Sequence, residues 1–403
     1  MKRHAIVVGG SVAGLSAAAL VSRAGWSVEV FEKAGSELEG RGAGIATHAE
    51  LHQAMARAGC DISQLGPTVS DRVVFDLAGE VIESWRYDQI FTAWGRVYKL
   101  MRAQVPQGAI RYGVSFTGFE RAPAAGEAVR AQFSDGVTRE ADLLVAADGL
   151  RSAVRGILAP EVRAEYAGYV AWRGMVEEHR ISPRTRETLV DKFGFCIPPG
   201  EQMIGYPIAG MDGGVDNGLR RFSFVWYRPA DEQEALPRLM TGIDGITYPS
   251  GIAPHLLDPR HIAQMRSDAN RLLAPQFAEI VALTAQPLIQ PIFDQLVPRM
   301  TYGNVALLGD AAFVARPHCG MGVTKAVSDA CALADALAAS VTIPDALAQF
   351  EAVRMAAGRR AVEVSRQLGA YMQAQTKTDD ERVQAEKYRT PHAIIRHTAV
   401  AFH

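Results

Sequence analysis

An α/β fold, in which a parallel sheet is interrupted by an inserted antiparallel sheet, is predicted by three features of this 403-residue sequence. The first is a strand, glycine turn, helix, strand order over residues 4–33, "HAIVVGGSVAGLSAAALVSRAGWSVEVFEK". The second is a pair of distant buried-strand patterns, "ADLLVAADG" and "VALLGD", each ending in an Asp–Gly or Gly–Asp pair. The third is an alternating apolar pattern between Tyr166 and Pro291.

The length suggests two domains, and 48% apolar with 21% charged residues suits a chain with a large core. A formal charge of −2 offers no field to gather nucleic acid or an anionic membrane, so neither is expected as a partner. "AIVV" runs into glycines and reads as a strand, not as a signal peptide, and no apolar run reaches the ~20 residues of a membrane span. Cys60, Cys196, Cys319 and Cys331 form no CxxC pair. They point to a reducing cytoplasm, with no metal site and no disulfide framework.

Each element of the opening stretch has a physical reason. "AIVV" is β-rich and apolar, as a parallel strand buried on both faces requires. Gly9 makes the tight bend, and Gly10 and Ser11 continue the turn into a helix whose first residues are Val12, Ala13 and Gly14. Gly14 and the alanines that follow let this helix lie close to the strand. Ser11 stands where a middle glycine would let pyrophosphate reach backbone amides, and it is the smallest substitute. The second strand ends in Glu32, followed by Lys33. A carboxylate there suits the ribose hydroxyls of an adenosine and repels a 2′-phosphate. The expected ligand is FAD or NAD, not NADP.

Downstream, Asp148 heads a helix start with Ser152 and Arg155 at helical spacing, and Val114 falls in the segment between the two patterns. "RRFSFVWYRP" places Phe222, Phe224 and Trp226 on one face of a strand and Ser223, Val225 and Tyr227 on the other. "DRVVFDLAGEVIESWRY" reads as a hairpin joining that sheet, and "AGMDGGVDNGLRR" as a hairpin loop. The expected organisation is a discontinuous nucleotide domain (1–71, 101–162, 300–350), an inserted α+β substrate domain (72–100, 163–299) and a helical segment (351–403). In that last segment "DDERVQAEKYR" reads as a solvated, salt-bridged face, and "HAELH" at His48 and His52 as a chance spacing on a helical surface.

These motifs, in this order, resemble the single-component FAD-dependent aromatic hydroxylases, the family of para-hydroxybenzoate hydroxylase. "YAGYVAWRG", "GYPIAG" and "ARPHCGMG" are similar to stretches of its dihydroxypyridine-hydroxylating branch. The resemblance implies a Rossmann-like FAD-binding domain in which Asp310 meets the ribityl chain and Gly320 and Gly322 open a helix beside the isoalloxazine, with Val323 next to them. Free amides at that helix start would stabilise an anionic reduced flavin.

The family's chemistry implies NADH or NADPH as a transient reductant, O2 as co-substrate, and a flavin C4a-hydroperoxide that attacks a small hydroxylated aromatic or N-heteroaromatic ring. A homodimer is implied by resemblance alone. His318, in the loop expected beside the flavin, and Tyr206 are the candidate catalytic and substrate-binding residues, with Arg173 and Tyr227 as further substrate contacts.

Overall fold

The computed structural model describes residues 2–38, 44–63 and 65–401. Residues 39–43 and 64 of the expected 1–71 nucleotide segment, and the extreme ends of the expected domain ranges, therefore lie outside the described residues.

Six strands form the first sheet, in the order Thr301–Tyr302, Val305–Leu307, Leu143–Ala146, His4–Val8, Ser27–Glu32, Ile110–Tyr112. Every neighbouring pair is parallel except the Thr301–Tyr302/Val305–Leu307 hairpin. His4–Val8 is central, and Ala5, Ile6 and Val7 are fully buried, as a strand covered on both faces demands. The Val12–Arg23 helix leaves its end and packs on the Gly322–Ala339 helix.

The second sheet has nine strands. Its centre is Glu165–Glu177, Arg221–Pro229, Gln202–Ile208 and Lys192–Cys196, flanked by Leu288–Leu296 on one side and the Thr68–Phe75/Val81–Ala93 hairpin on the other. The two faces divide as the alternation requires. Phe222, Phe224 and Trp226 join one core with Phe277 and Ile280, while Val225 and Tyr227 join another with Phe193 and Tyr206.

The expectation of an antiparallel sheet needs one correction, because Lys192–Cys196 pairs parallel with Thr68–Phe75. These strands come from segments more than a hundred residues apart, so no tight turn constrains their direction. The sheet also takes in Gly44–Ala46 and begins its hairpin at Thr68. A small meander, Phe116–Phe119, Val129–Phe133 and Thr138–Ala141, was not foreseen and packs Phe133 against Phe31.

The helical end starts at Ile343 and runs to Gly369, followed by Asp379–Tyr388 and Pro391–His397. "DDERVQAEKYR" is indeed a largely exposed helix, opened by a Thr378–Glu381 capping box. "HAELH" is not a surface pair. His48 caps the Ala49–Arg57 helix from outside it and is buried, with Nδ1 3.3 Å from Thr324 Oγ1, whereas His52 Nε2 lies 2.8 Å from Thr47 Oγ1.

Candidate active site

The opening turn is built from contacts that only glycine allows. Gly9 sits at φ 103°, and a Cβ on Gly14 would lie 1.8 Å from the Gly9 carbonyl oxygen. Gly10 N–H donates to Glu32 Oε2 (2.7 Å) and Ala34 N–H to Oε1 (2.8 Å), so the carboxylate at the strand end also braces the turn. Ser11 is the N-cap of the Val12–Arg23 helix, yet its side chain makes no capping hydrogen bond. Amides and hydroxyl are thus left facing a cavity of about 450 Å³ lined by Gly9, Ser11, Val12, Ala13, Glu32 and Lys33.

Val114, Asp148 and Asp310 border the same cavity. Val114 N–H donates to Glu32 O (3.1 Å). Asp148 is largely committed to its own loop: Ser152 Oγ donates to one oxygen, and Ala153 N–H (2.7 Å) and Val154 N–H (3.3 Å) to the other. Burial pushes this carboxyl up, and those donors oppose the shift. Arg155, one turn on, donates to the carbonyls of Leu150 and Ala311, tying the Asp148 loop to the Asp310 loop.

Asp310 lies in the 3₁₀ turn Gly309–Ala311, with its side chain 49% exposed. Lys325 Nζ, 3% exposed, donates to its Oδ1 at 2.6 Å. Gly309 N–H donates to Asp329 Oδ2 (2.9 Å), and Asp329 in turn pairs with Arg354. Sequence reasoning missed Lys325 and Asp329. Their position four residues apart on one face of the helix after Gly322 was the available signal.

A second cavity, of about 400 Å³, opens from the first, and both are bordered by Trp94, Asp310, Gly322 and Val323. Gly320, at φ 68°, borders only the second. Met321 caps the Gly322–Ala339 helix without a side-chain bond, so the first-turn amides face this junction. Trp94, stacked on Tyr98 at 5.3 Å, stands where the cavities meet.

Arg173, Tyr206 and Tyr227 project into the second cavity from three adjacent strands. Tyr206 is stacked on Phe91 (4.5 Å) and meets Phe193 edge-on (5.5 Å). Burial pushes its hydroxyl up to about 12 and that of Tyr227 higher still. Arg173 makes no hydrogen bond or ion pair among the described residues, and its Nε is shielded from solvent.

His318 does not border this cavity. It is 2% exposed, with Nε2 2.7 Å from Tyr169 Oη and its ring edge-on to Tyr227 at 4.6 Å. Burial, then Arg316 and Arg173, lower it to about 3, so it is neutral near pH 7. Among the described residues no cluster could hold a metal ion, and no helix is long and apolar enough to cross a membrane.

Long and two-ended, the joined cavities fit a flavin dinucleotide. The glycine turn offers amides to a pyrophosphate, Glu32 and Asp310 offer acceptors to hydroxyls, and the Gly322 helix start offers amides at the ring end.

Comparison with known proteins agrees with this geometry. Residues 166–294 match a family described as FAD binding domain-like, and residues 266–365 match the FAD binding domain family. The 2,6-dihydroxypyridine 3-monooxygenase of Paenarthrobacter nicotinovorans is 31% identical, covering 91% of each chain. The FAD-dependent urate hydroxylase of Klebsiella oxytoca is 31% identical over 87% of this chain and 85% of its own. The structure of 2,6-dihydroxypyridine-3-hydroxylase from Arthrobacter nicotinovorans superposes with a TM-score of 0.86 at 29% identity, over 94% of both chains. A glycine turn, a Gly–Asp loop and a ring-sized chamber in one connected site, with likeness along nine-tenths of the chain, place this protein in the family of FAD-dependent aromatic-ring monooxygenases.

Proposed function

We propose that the second cavity binds a small hydroxylated aromatic or N-heteroaromatic ring, and that the enzyme hydroxylates it at the expense of NADH or NADPH and O2. The observation that carries this reading is Arg173, a cation without a hydrogen-bond or ion-pair partner among the described residues, set among Tyr206, Tyr227 and apolar walls at the end of the flavin-sized cavity. Bound FAD supplies the electron transfer and oxygen activation. The chain's own residues bind the ring, orient it, keep water out and handle the proton.

Arg173 attracts an oxygen substituent and favours its ionised form, which makes the ring electron-rich. Tyr206 and Tyr227, held protonated by burial, donate hydrogen bonds to ring substituents. Phe193, Ile204 and Val225 supply an apolar wall that excludes water. His318 does not touch the ring; its neutral imidazole packs edge-on against Tyr227 and acts as a positioning group for that hydroxyl. Gly9, Gly10, Ser11, Val12, Ala13, Gly14, Glu32, Lys33, Val114, Asp148, Asp310, Gly320, Gly322 and Val323 form the FAD cradle in this reading.

Steady NADH or NADPH oxidation, with product and peroxide counted per equivalent, across a panel of hydroxypyridines and hydroxybenzoates tests the function. Coupled product from at least one ring is expected, with Arg173→Met losing most of the kcat/KM. A yellow protein that oxidises reductant independently of every ring defeats the proposal. Residence in a reducing cytoplasm accords with the four cysteines, all buried and free.

A further inference from the structure

One wall of the second cavity comes from a part of the chain that contributes nothing else to the site. Thr398 and Ala399, just after the Pro391–His397 helix, border it. Their anchor is Arg72 on the Thr68–Phe75 strand, which is 1% exposed and forms no ion pair among the described residues. Its Nη1 donates to the carbonyls of Ile395 (3.1 Å) and Thr398 (2.7 Å), and its Nη2 to Gln89 Oε1 (2.6 Å) and Ala399 O (3.4 Å). Gln89 Nε2 also donates to Ala399 O (2.8 Å). A buried cation is thereby compensated by the carbonyl end of a helix, where the backbone dipole is negative. Ala399 N–H donates to His318 O (2.7 Å), fastening the wall to the loop that carries Gly320.

Ala399 has φ 54°, and no other non-glycine residue among those described has a positive φ. Glycine would occupy this left-handed conformation without strain, so the alanine methyl is kept against a backbone cost. That methyl lies 3.1 Å from the place a Cβ on Gly320 would take, at the mouth between wall and flavin loop.

We infer that Thr398 and Ala399 determine which ring substituents the enzyme accepts, with Arg72 as the positioning residue that holds them against the cavity. This rests on the reading of the second cavity as the ring site.

The test compares kcat/KM for the best ring of the hydroxypyridine and hydroxybenzoate panel with that for its ring-methylated analogues. Binding is followed in parallel by the flavin absorbance change. Ala399→Gly, which keeps the backbone bonds and relieves the strain, should retain FAD and melting temperature while shifting preference toward a methylated ring by about tenfold. Arg72→Met should blunt selectivity with FAD retained, and Arg72→Lys should recover part of it. Selectivity within twofold of wild type in Ala399→Gly, when Tyr206→Phe does change it, overturns the wall. If neither variant moves selectivity, the ring-site reading falls with it. Should Arg72→Met fail to fold, Ala399→Gly still decides the matter.

Discussion

The two cavities are similar in size, about 450 and 400 Å³, but they recognise their contents by different chemistry. The first offers backbone at Gly9 and Ser11, in the Asp148–Gly149 loop and at two helix starts, together with the Glu32 and Asp310 carboxylates and apolar side chains such as Phe31, Leu38 and Phe116. The second is lined chiefly by residues of seven strands and by Thr398–Ala399, with the side chains of Arg173, Tyr206 and Tyr227 among them. A backbone site demands small residues at fixed local spacing, because any Cβ intrudes. A side-chain site demands only that distant residues converge. The first therefore suits a cofactor shared across a family, and the second a substrate that differs between its members.

The comparison breaks most severely at Gly14. Its missing Cβ would fall 1.8 Å from a backbone oxygen, which no side-chain movement can relieve. Gly14→Ala is expected to cost at least about 3 kcal/mol through overpacking and to leave the protein colourless. Chemical unfolding and FAD content after desalting check this. A stable yellow variant would mean that the turn tolerates a different helix entry.

Asp310 tests whether a side chain in the first cavity serves structure or cofactor. Asp310→Ala removes the partner of the buried Lys325 ammonium and should destabilise the protein by about 2 kcal/mol, below the range for fully buried pairs because Asp310 is half-exposed. It should also release FAD. Adding Lys325→Met should restore stability without restoring flavin. Recovery of both would reduce Asp310 to a mere counter-ion.

The same contrast explains what was legible in the sequence. Strand, turn, helix and terminal acid at residues 4–33 are a local pattern, and Gly9, Gly10 and Gly14 each have a contact only glycine can make. Likewise the face division of Arg221–Pro229 follows from period-two alternation and needs no partner to be known. The parallel pairing of Lys192–Cys196 with Thr68–Phe75, and the arrival of Thr398–Ala399 at the second cavity, depend on contacts across more than a hundred residues that leave no periodic trace. His318 shows the intermediate case. The resemblance sets its loop beside the flavin, but nothing local tells that the ring turns to meet Tyr169.

Protonation sharpens the comparison on the substrate side. His318 titrates near 6.5 when unfolded and about 3 when folded, and His48 about 4. The folded state thus binds fewer protons, so these groups contribute their full stability above about pH 6.5 and lose it as pH falls toward 3. Between pH 7 and 5 the wild type should lose up to about 2 kcal/mol through His318, read from urea midpoints. His318→Gln should fall less steeply. Equal slopes would show that the imidazole is accessible and charges freely when folded, returning it to direct proton exchange with substrate.

The smallest effect concerns Ser11, the one residue of the turn whose side chain departs from the backbone rule. It caps the Val12–Arg23 helix with extended backbone (φ −82°, ψ −177°) but without a side-chain bond, so Ser11→Gly should cost the fold only a few tenths of a kcal/mol. The hydroxyl, uncommitted among the described residues and bordering the cavity, is placed to donate to a phosphate oxygen. Losing one such net hydrogen bond is worth about 1 kcal/mol, or roughly a fivefold weaker FAD dissociation constant. Ser11→Ala, which lacks the hydroxyl but keeps the Cβ, should weaken binding at least as much. Flavin fluorescence titration of apo-protein separates the cases. Tighter binding by the glycine variant would show that the serine is tolerated bulk and that this cavity is read by backbone alone.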